Sequence, residues 1–203
     1  EAALRDTVIV AKSAGEGLGV SLLHWIIGDS QRSIVVEMMA DGLHVYDDPV
    51  DTLANQPTFP WHMENLRTYI TATSDFPQTA TWRGAELKPY GAGAGMRGIP
   101  GDCYSPSRFV KAAYLNANYP QKESETENVV RMFRSLEGVV MIEGASRMGD
   151  GEFEKTIYTG CFSARTGNYY YAMYGDPSIR YVSLMDAEGA SPDRLVVPEP
   201  RRS

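Results

Sequence analysis

The chain has 203 residues, 43% of them hydrophobic and 22% charged, which is enough to bury about 70% of its unfolded surface around an ordinary globular core. Its formal net charge of -7 argues against a general binder of nucleic acid or anionic membrane, because neutralising phosphates requires clustered Lys and Arg, and only Arg201 and Arg202 stand together. Two cysteines and three histidines without ligand spacing exclude a four-ligand zinc site, and no apolar run is long enough to span a bilayer.

Taken in order, residues 1–12 place Leu4, Val8 and Ala11 on one side of a short helix, and the breaker-rich stretch 13–19 follows as a loop. Strands are expected over residues 22–27, 33–39 and 43–46, with a turn at Gly28 and Asp29 and a hairpin signal at Asp41-Gly42. Ile34, Val36 and Met38 point to one face and Val35 and Met39 to the other, so this sheet needs cover on both sides. His24 and His44 fall inside strands, where packed or cross-strand roles are commoner than ligation. A further short strand over residues 50–54 delivers Asn55 just before Pro57. Its amide can donate into a cleft or cap an Asx-turn.

Residues 60–71 read as a helix with Met63, Leu66 and Ile70 inward. Periodicity is weak and breakers are frequent over residues 71–98. Gly93-x-Gly95-x-x-Gly98 matches a dinucleotide fingerprint only formally, since neither a clear strand precedes it nor a helix follows. Nothing else suggests a phosphate loop, so no cofactor is expected. The glycines instead allow the backbone to pass close to other elements.

The stretch PGDCYSPSRFVKAAYLNANY, residues 100–119, reads as a loop feeding a helix: Ser105 as N-cap, Pro106 at the first helical position, and Phe109, Ala112, Ala113 and Ala117 as the apolar stripe. Arg108 then sits in the first turn, against the positive end of the helix dipole, at a cost of a few tenths to about 1 kcal/mol. Asp102 is the nearest compensating charge, an anion brought from elsewhere is another, and the cation can also extend into solvent. A second helix begins at the capping box of Ser124 and Glu127 and runs to Gly138 with Val129, Phe133 and Leu136 buried. Strands follow over residues 155–163, 168–174 and 179–184. The run of Tyr169, Tyr170, Tyr171 and Tyr174 suggests a strand near a sheet edge or assembly surface rather than a base-stacking platform. Runs of strands separated from runs of helices make an α+β fold.

IPGDCYSPSRFVKAAY and LANQPTF, together with HMENLRTYI and TIYTGCFSARTGNYYYAMY in the same order, resemble the choloylglycine hydrolase family, the bile salt hydrolases and penicillin V acylases. The resemblance is closest to the bile salt hydrolase branch and covers nearly the whole chain. It implies the αββα sandwich of antiparallel sheets of the N-terminal-nucleophile hydrolases, incomplete at the N-terminal side, with residues 1–186 as a partial domain and 187–203 as a polar tail. It also implies hydrolysis of the amide joining a bile acid to glycine or taurine. In the family a leading cysteine attacks the carbonyl, and this chain begins at Glu1. The expectation is therefore that these residues alone, without the N-terminal portion, are inactive.

Asn55 matches the residue whose amide hydrogen-bonds near the nucleophile and the tetrahedral oxygen, a contribution on the order of 3 kcal/mol. Arg108 matches the arginine that favours the thiolate. Penicillin V is the alternative substrate, and a nonenzymatic remnant binding a steroid-like ligand or a protein is the alternative class. Cys103, which lacks an evident base, is a weak replacement nucleophile. The remaining expectations are reduced cysteines, a bacterial cytoplasmic location, and a homo-oligomer, a tetramer by the resemblance; because the excursion corresponding to 71–98 helps subunits assemble in the family, a protruding hairpin or loop rather than a second domain is expected there.

Overall fold

The computed structural model describes residues 24–184. The helix expected over residues 1–12, the loop at 13–19 and the tail at 187–203 lie outside them. The chain divides into two compact units between Tyr119 and Pro120.

In the first unit, β1 (His24–Gly28), β2 (Ser33–Met39) and β3 (Gly42–Asp48) form an antiparallel meander with β2 in the centre. Asp29 shapes the first turn by accepting the Gln31 and Arg32 N–H groups. Gly42 takes the left-handed φ of 132° that the second turn requires. The two faces of β2 are not equally covered. Ser33, Val35 and Glu37 are all buried on one face, while Val36 is buried and Met38 exposed on the other.

The strand expected over residues 50–54 is absent; this segment is a loop. Side chains satisfy its backbone instead of a neighbouring strand. Asp48 accepts the Val50 and Thr52 N–H groups at 3.1 and 2.9 Å, and Asn116 Nδ2 donates to the Val50 and Asp51 carbonyls at 3.2 and 2.9 Å. Burial raises the Asp48 carboxyl above the ordinary carboxylate range, and the two N–H groups oppose that rise.

Helix α1 (Phe59–Leu66) tightens into a 3-10 turn, Arg67–Tyr69. Phe59 and His62 are its buried residues, with Met63 and Leu66 half-buried, and Ile70 is 80% exposed rather than inward. The helix begins one residue earlier than the sequence suggests, and the change to three residues per turn rotates position 70 off the stripe.

The excursion carries the expected hairpin, β4 (Ala80–Trp82) and β5 (Ala85–Leu87), joined through Arg83 and Gly84, both with positive φ as a two-residue I′ connection needs. All six strand residues are exposed. At Gly95 a Cβ would stand 2.5 Å from the Thr73 carbonyl oxygen, and Thr73 N donates to Gly95 O at 3.0 Å, so close backbone passage explains that glycine.

Helix α2 (Ser105–Ala117) buries Ser105, Phe109, Val110 and Ala113, leaving Ala117 exposed. Val35, Phe59, Phe109 and Ala113 make the core of this unit, with Tyr46, Leu53, Met63 and Leu66 packed around them.

In the second unit, helix α3 (Glu125–Glu137) starts at the expected Ser124, whose side chain accepts the Glu127 N–H, and ends at Gly138. It buries Val129 and Phe133. β6 (Tyr158–Ser163), β7 (Asn168–Met173) and β8 (Asp176–Ser183) form a second antiparallel meander. The tyrosine-rich strand β7 is its centre, which corrects the expectation of an edge position. Tyr169 and Tyr171 stack on one face, with the Tyr169 ring over Gly160, while Tyr170 on the other donates to Glu125 Oε1 at 2.7 Å and ties the sheet to the start of α3. Among the described residues no helix is long and apolar enough to cross a membrane.

Candidate active site

Asn55 and Arg108, 53 residues apart, meet in the first unit. Arg108 Nη2 donates to Asn55 Oδ1 at 2.6 Å. Because a guanidinium only donates, the atom facing it must be the amide oxygen, and this orientation turns the two Nδ2–H donors of Asn55 away from the arginine. Asn55 is exposed. Arg108 Nε is buried and makes no hydrogen bond among the described residues. The pair therefore presents amide donors beside a fixed cation that still has donor capacity unused.

Asp102 does not compensate Arg108. Its carboxylate accepts the Tyr104 N–H and the Ser107 hydroxyl, both at 2.9 Å. These bonds, the Ser107 one first, hold its carboxyl below the usual carboxylate range. Nor is Ser105 the N-cap. Tyr104 occupies that position without a side-chain bond, and Ser105 starts the helix with Pro106 behind it. The Ser105 hydroxyl is buried, so it takes the nearest acceptor across the fold, the Asn55 carbonyl, at 2.7 Å. Asp102 holds the turn into the helix in its place.

The same carbonyl accepts from His62 Nε2 at 2.8 Å. His62 is fully buried and lies flat on the Phe109 ring, centroids 4.5 Å apart and planes 12° from parallel. Desolvation lowers its pKa below the ordinary histidine value, the Asn55 carbonyl and the Glu37 charge acting in the opposite sense. Glu37, 1% exposed, accepts from His24 Nδ1 at 2.6 Å and from the Phe59 N–H at 2.9 Å, so it joins the sheet to the start of α1. His24 is thus the cross-strand residue expected. His44, also paired across from Glu37 in register, turns instead to Asp41 at 2.9 Å and stacks on Tyr46.

Glu37, His62 and the inward turn of Ser105 were not singled out by the sequence. A lone carboxylate in SIVVEMM and a histidine three residues after Phe59 on the helix were the available signals.

Cys103 and Cys161 are both half-buried. Burial, with a smaller push from Glu125, raises the Cys161 thiol. The described residues contain no cluster of potential metal ligands. A cavity of about 480 Å³ in the second unit, bounded by residues of α3 and the sheet such as Phe133 and Met173, contains none of the expected site residues.

An α+β framework of antiparallel strands that presents an amide and a guanidinium together suits a hydrolase in which negative charge develops on oxygen or sulfur. The chain belongs to the choloylglycine hydrolase family of linear amide C-N hydrolases, whose family model matches residues 1–196. It is 49% identical over 197 residues to a bile salt hydrolase/transferase of Bifidobacterium longum subsp. longum, covering 97% of this chain and 62% of that protein. A solved structure of a variant of the conjugated bile acid hydrolase from Clostridium perfringens superposes with a TM-score of 0.82 at 31% identity, over 91% of this chain and 57% of the other. The penicillin V acylase from Agrobacterium tumefaciens matches with a TM-score of 0.59 at 15% identity, over 77% of this chain and 43% of that one, a likeness of fold alone. The fold is therefore that of the N-terminal-nucleophile hydrolases, as the resemblance implied. The chain spans about three-fifths of the length of the Bifidobacterium relative.

Proposed function

We propose that this chain is part of a hydrolase for the amide bond joining a bile acid to glycine or taurine, with Asn55 and Arg108 in the active site. The observation that carries this reading is the 2.6 Å bond between them, which aims the Asn55 amide donors and leaves a buried Arg108 N–H for an anion. In the proposed reaction a thiolate adds to the amide carbonyl, and the Asn55 Nδ2–H donors stabilise the tetrahedral oxygen by on the order of 3 kcal/mol. Arg108 favours the thiolate over the thiol. The C–N bond breaks, the departing amine takes a proton from the nucleophile's own amino group, and water cleaves the acyl-enzyme.

We assign the nucleophile to a leading cysteine rather than to Cys103 or Cys161. Burial disfavours the Cys161 thiolate, and the histidines are engaged elsewhere, His24 with Glu37, His44 with Asp41 and His62 with Asn55. Residues 1–203 by themselves are accordingly expected to be inactive. Conjugated bile acids are favoured over penicillins because the bile salt hydrolase and conjugated bile acid hydrolase are 49% and 31% identical to the chain, against 15% for the penicillin V acylase. A cytoplasmic homo-oligomer, a tetramer by the resemblance, belongs to the same proposal, with the exposed β4–β5 hairpin as an assembly surface.

The test is glycine and taurine release from conjugated bile salts by the full-length protein and by residues 1–203 alone. Asn55→Ala and Arg108→Ala in the full-length protein should each lower kcat on the order of a hundredfold or more. Undiminished turnover in either variant would sink the site, and turnover by residues 1–203 alone would return the nucleophile to this chain.

A further inference from the structure

Asn55 stands at the end of a loop, and a loop residue that must aim two donors needs to be held. Its main-chain carbonyl is gripped twice, by Ser105 Oγ at 2.7 Å and by His62 Nε2 at 2.8 Å. A carbonyl only accepts, so His62 must carry its proton on Nε2. Its Nδ1 is then a lone pair, buried and without a hydrogen-bond partner among the described residues. Nothing about that nitrogen favours a histidine in this seat, whereas the bond made by Nε2 requires a donor there.

The geometry around the ring supports the same conclusion. One turn of α2 supplies three of the holds: Ser105 bonds the Asn55 main chain, Arg108 bonds its side chain, and Phe109 lies against the imidazole and sets its plane. These are positions i, i+3 and i+4 of one helix face. The desolvated surroundings that depress the His62 pKa keep the ring neutral, so Nε2–H remains the donor while Nδ1 stays bare.

We infer that His62 and Ser105 are positioning residues for Asn55, fixing its main chain so that its side-chain amide is aimed by Arg108 at the oxygen where negative charge develops. The inference rests on the function proposed above and deepens it. Neither residue touches the substrate; both act through Asn55. Losing a grip should therefore lower kcat and leave KM nearly unchanged, because the donors matter most when charge has developed.

The experiment is steady-state hydrolysis of a conjugated bile salt by the full-length protein with His62→Phe, which preserves a flat ring on Phe109 and removes the donor. We expect kcat to fall on the order of a hundredfold with KM within about threefold, and His62→Gln, which offers an amide donor near the same place, to recover part of the loss. Ser105→Ala should lose on the order of tenfold and provides the measurement if His62→Phe does not fold. In wild-type protein labelled with nitrogen-15 histidine, the His62 ring should show a protonated Nε2 and a bare Nδ1 at neutral pH. The opposite tautomer overturns the inference whatever the activities are. Asn55→Ala in the same assay separates the two levels. Full activity there overturns the reading of the site and this positioning with it, whereas loss there, with full activity in folded His62→Phe or Ser105→Ala, overturns the positioning alone.

Discussion

Burial keeps His62 neutral in the fold, while the unfolded chain exposes it with an ordinary pKa near 6.5. The sign of the pH dependence follows. Above that value neither state is protonated and the contribution to stability is complete. As pH falls through it, the unfolded state takes up a proton that the folded state refuses, and stability is lost until the depressed folded pKa is reached. The wild type should therefore lose more thermal stability than His62→Phe between about pH 7.5 and 5.5, and comparing the two proteins cancels groups such as Asp48 that titrate in both. Equal slopes in the two melting series would show that the imidazole is not desolvated as described. At this scale the sequence displayed Asn55 and Arg108 through flanking motifs, but not their partners. Glu37 was hidden because strand alternation marks only which face a side chain takes, and both faces of β2 looked apolar.

Elements whose ends are marked by local chemistry were legible. β2 has the expected boundaries, and α3 starts and stops where Ser124 and Gly138 require. Ser124→Ala should cost about 1 kcal/mol, read as a shift in the urea midpoint with an unchanged slope; a change below about 0.3 kcal/mol would mean that the 3.4 Å bond to the Glu127 N–H contributes little. The start of α2 departs from the cap that local chemistry predicts, for a specific reason. Ser105 has the chemistry of a cap, but its hydroxyl faces an acceptor 50 residues away, and a buried hydroxyl takes whichever partner the interior offers. The loop at 50–54 fails as a strand for a related reason: Asp48 and Asn116 satisfy its backbone, and a local pattern of apolar residues contains neither partner.

For the molecule as a whole, the family match over residues 1–196 and the two antiparallel meanders agree on fold. The proposed assembly is a property of this scale. Trp82 is 73% exposed on a hairpin with no buried strand residue, which leaves its ring available to a neighbouring subunit in the proposed assembly. Trp82→Ser should give a smaller species on gel filtration with the circular dichroism spectrum retained. An unchanged elution volume would remove the hairpin from the interface.

Composition, periodicity and turn residues determined the α+β class and most strands and helices, while the resemblance of short motifs to the family singled out Asn55, Arg108 and the excursion. These are local features, because apolar spacing and capping act over a few residues of chain. Only the tertiary structure decided that β7 is central, that Asp102 serves its own turn rather than Arg108, and that Asn55 is held by His62, Ser105 and Arg108. Those outcomes depend on which buried polar groups find each other across tens of residues, where sequence distance carries no information about the partner and the requirement to satisfy every buried donor and acceptor does.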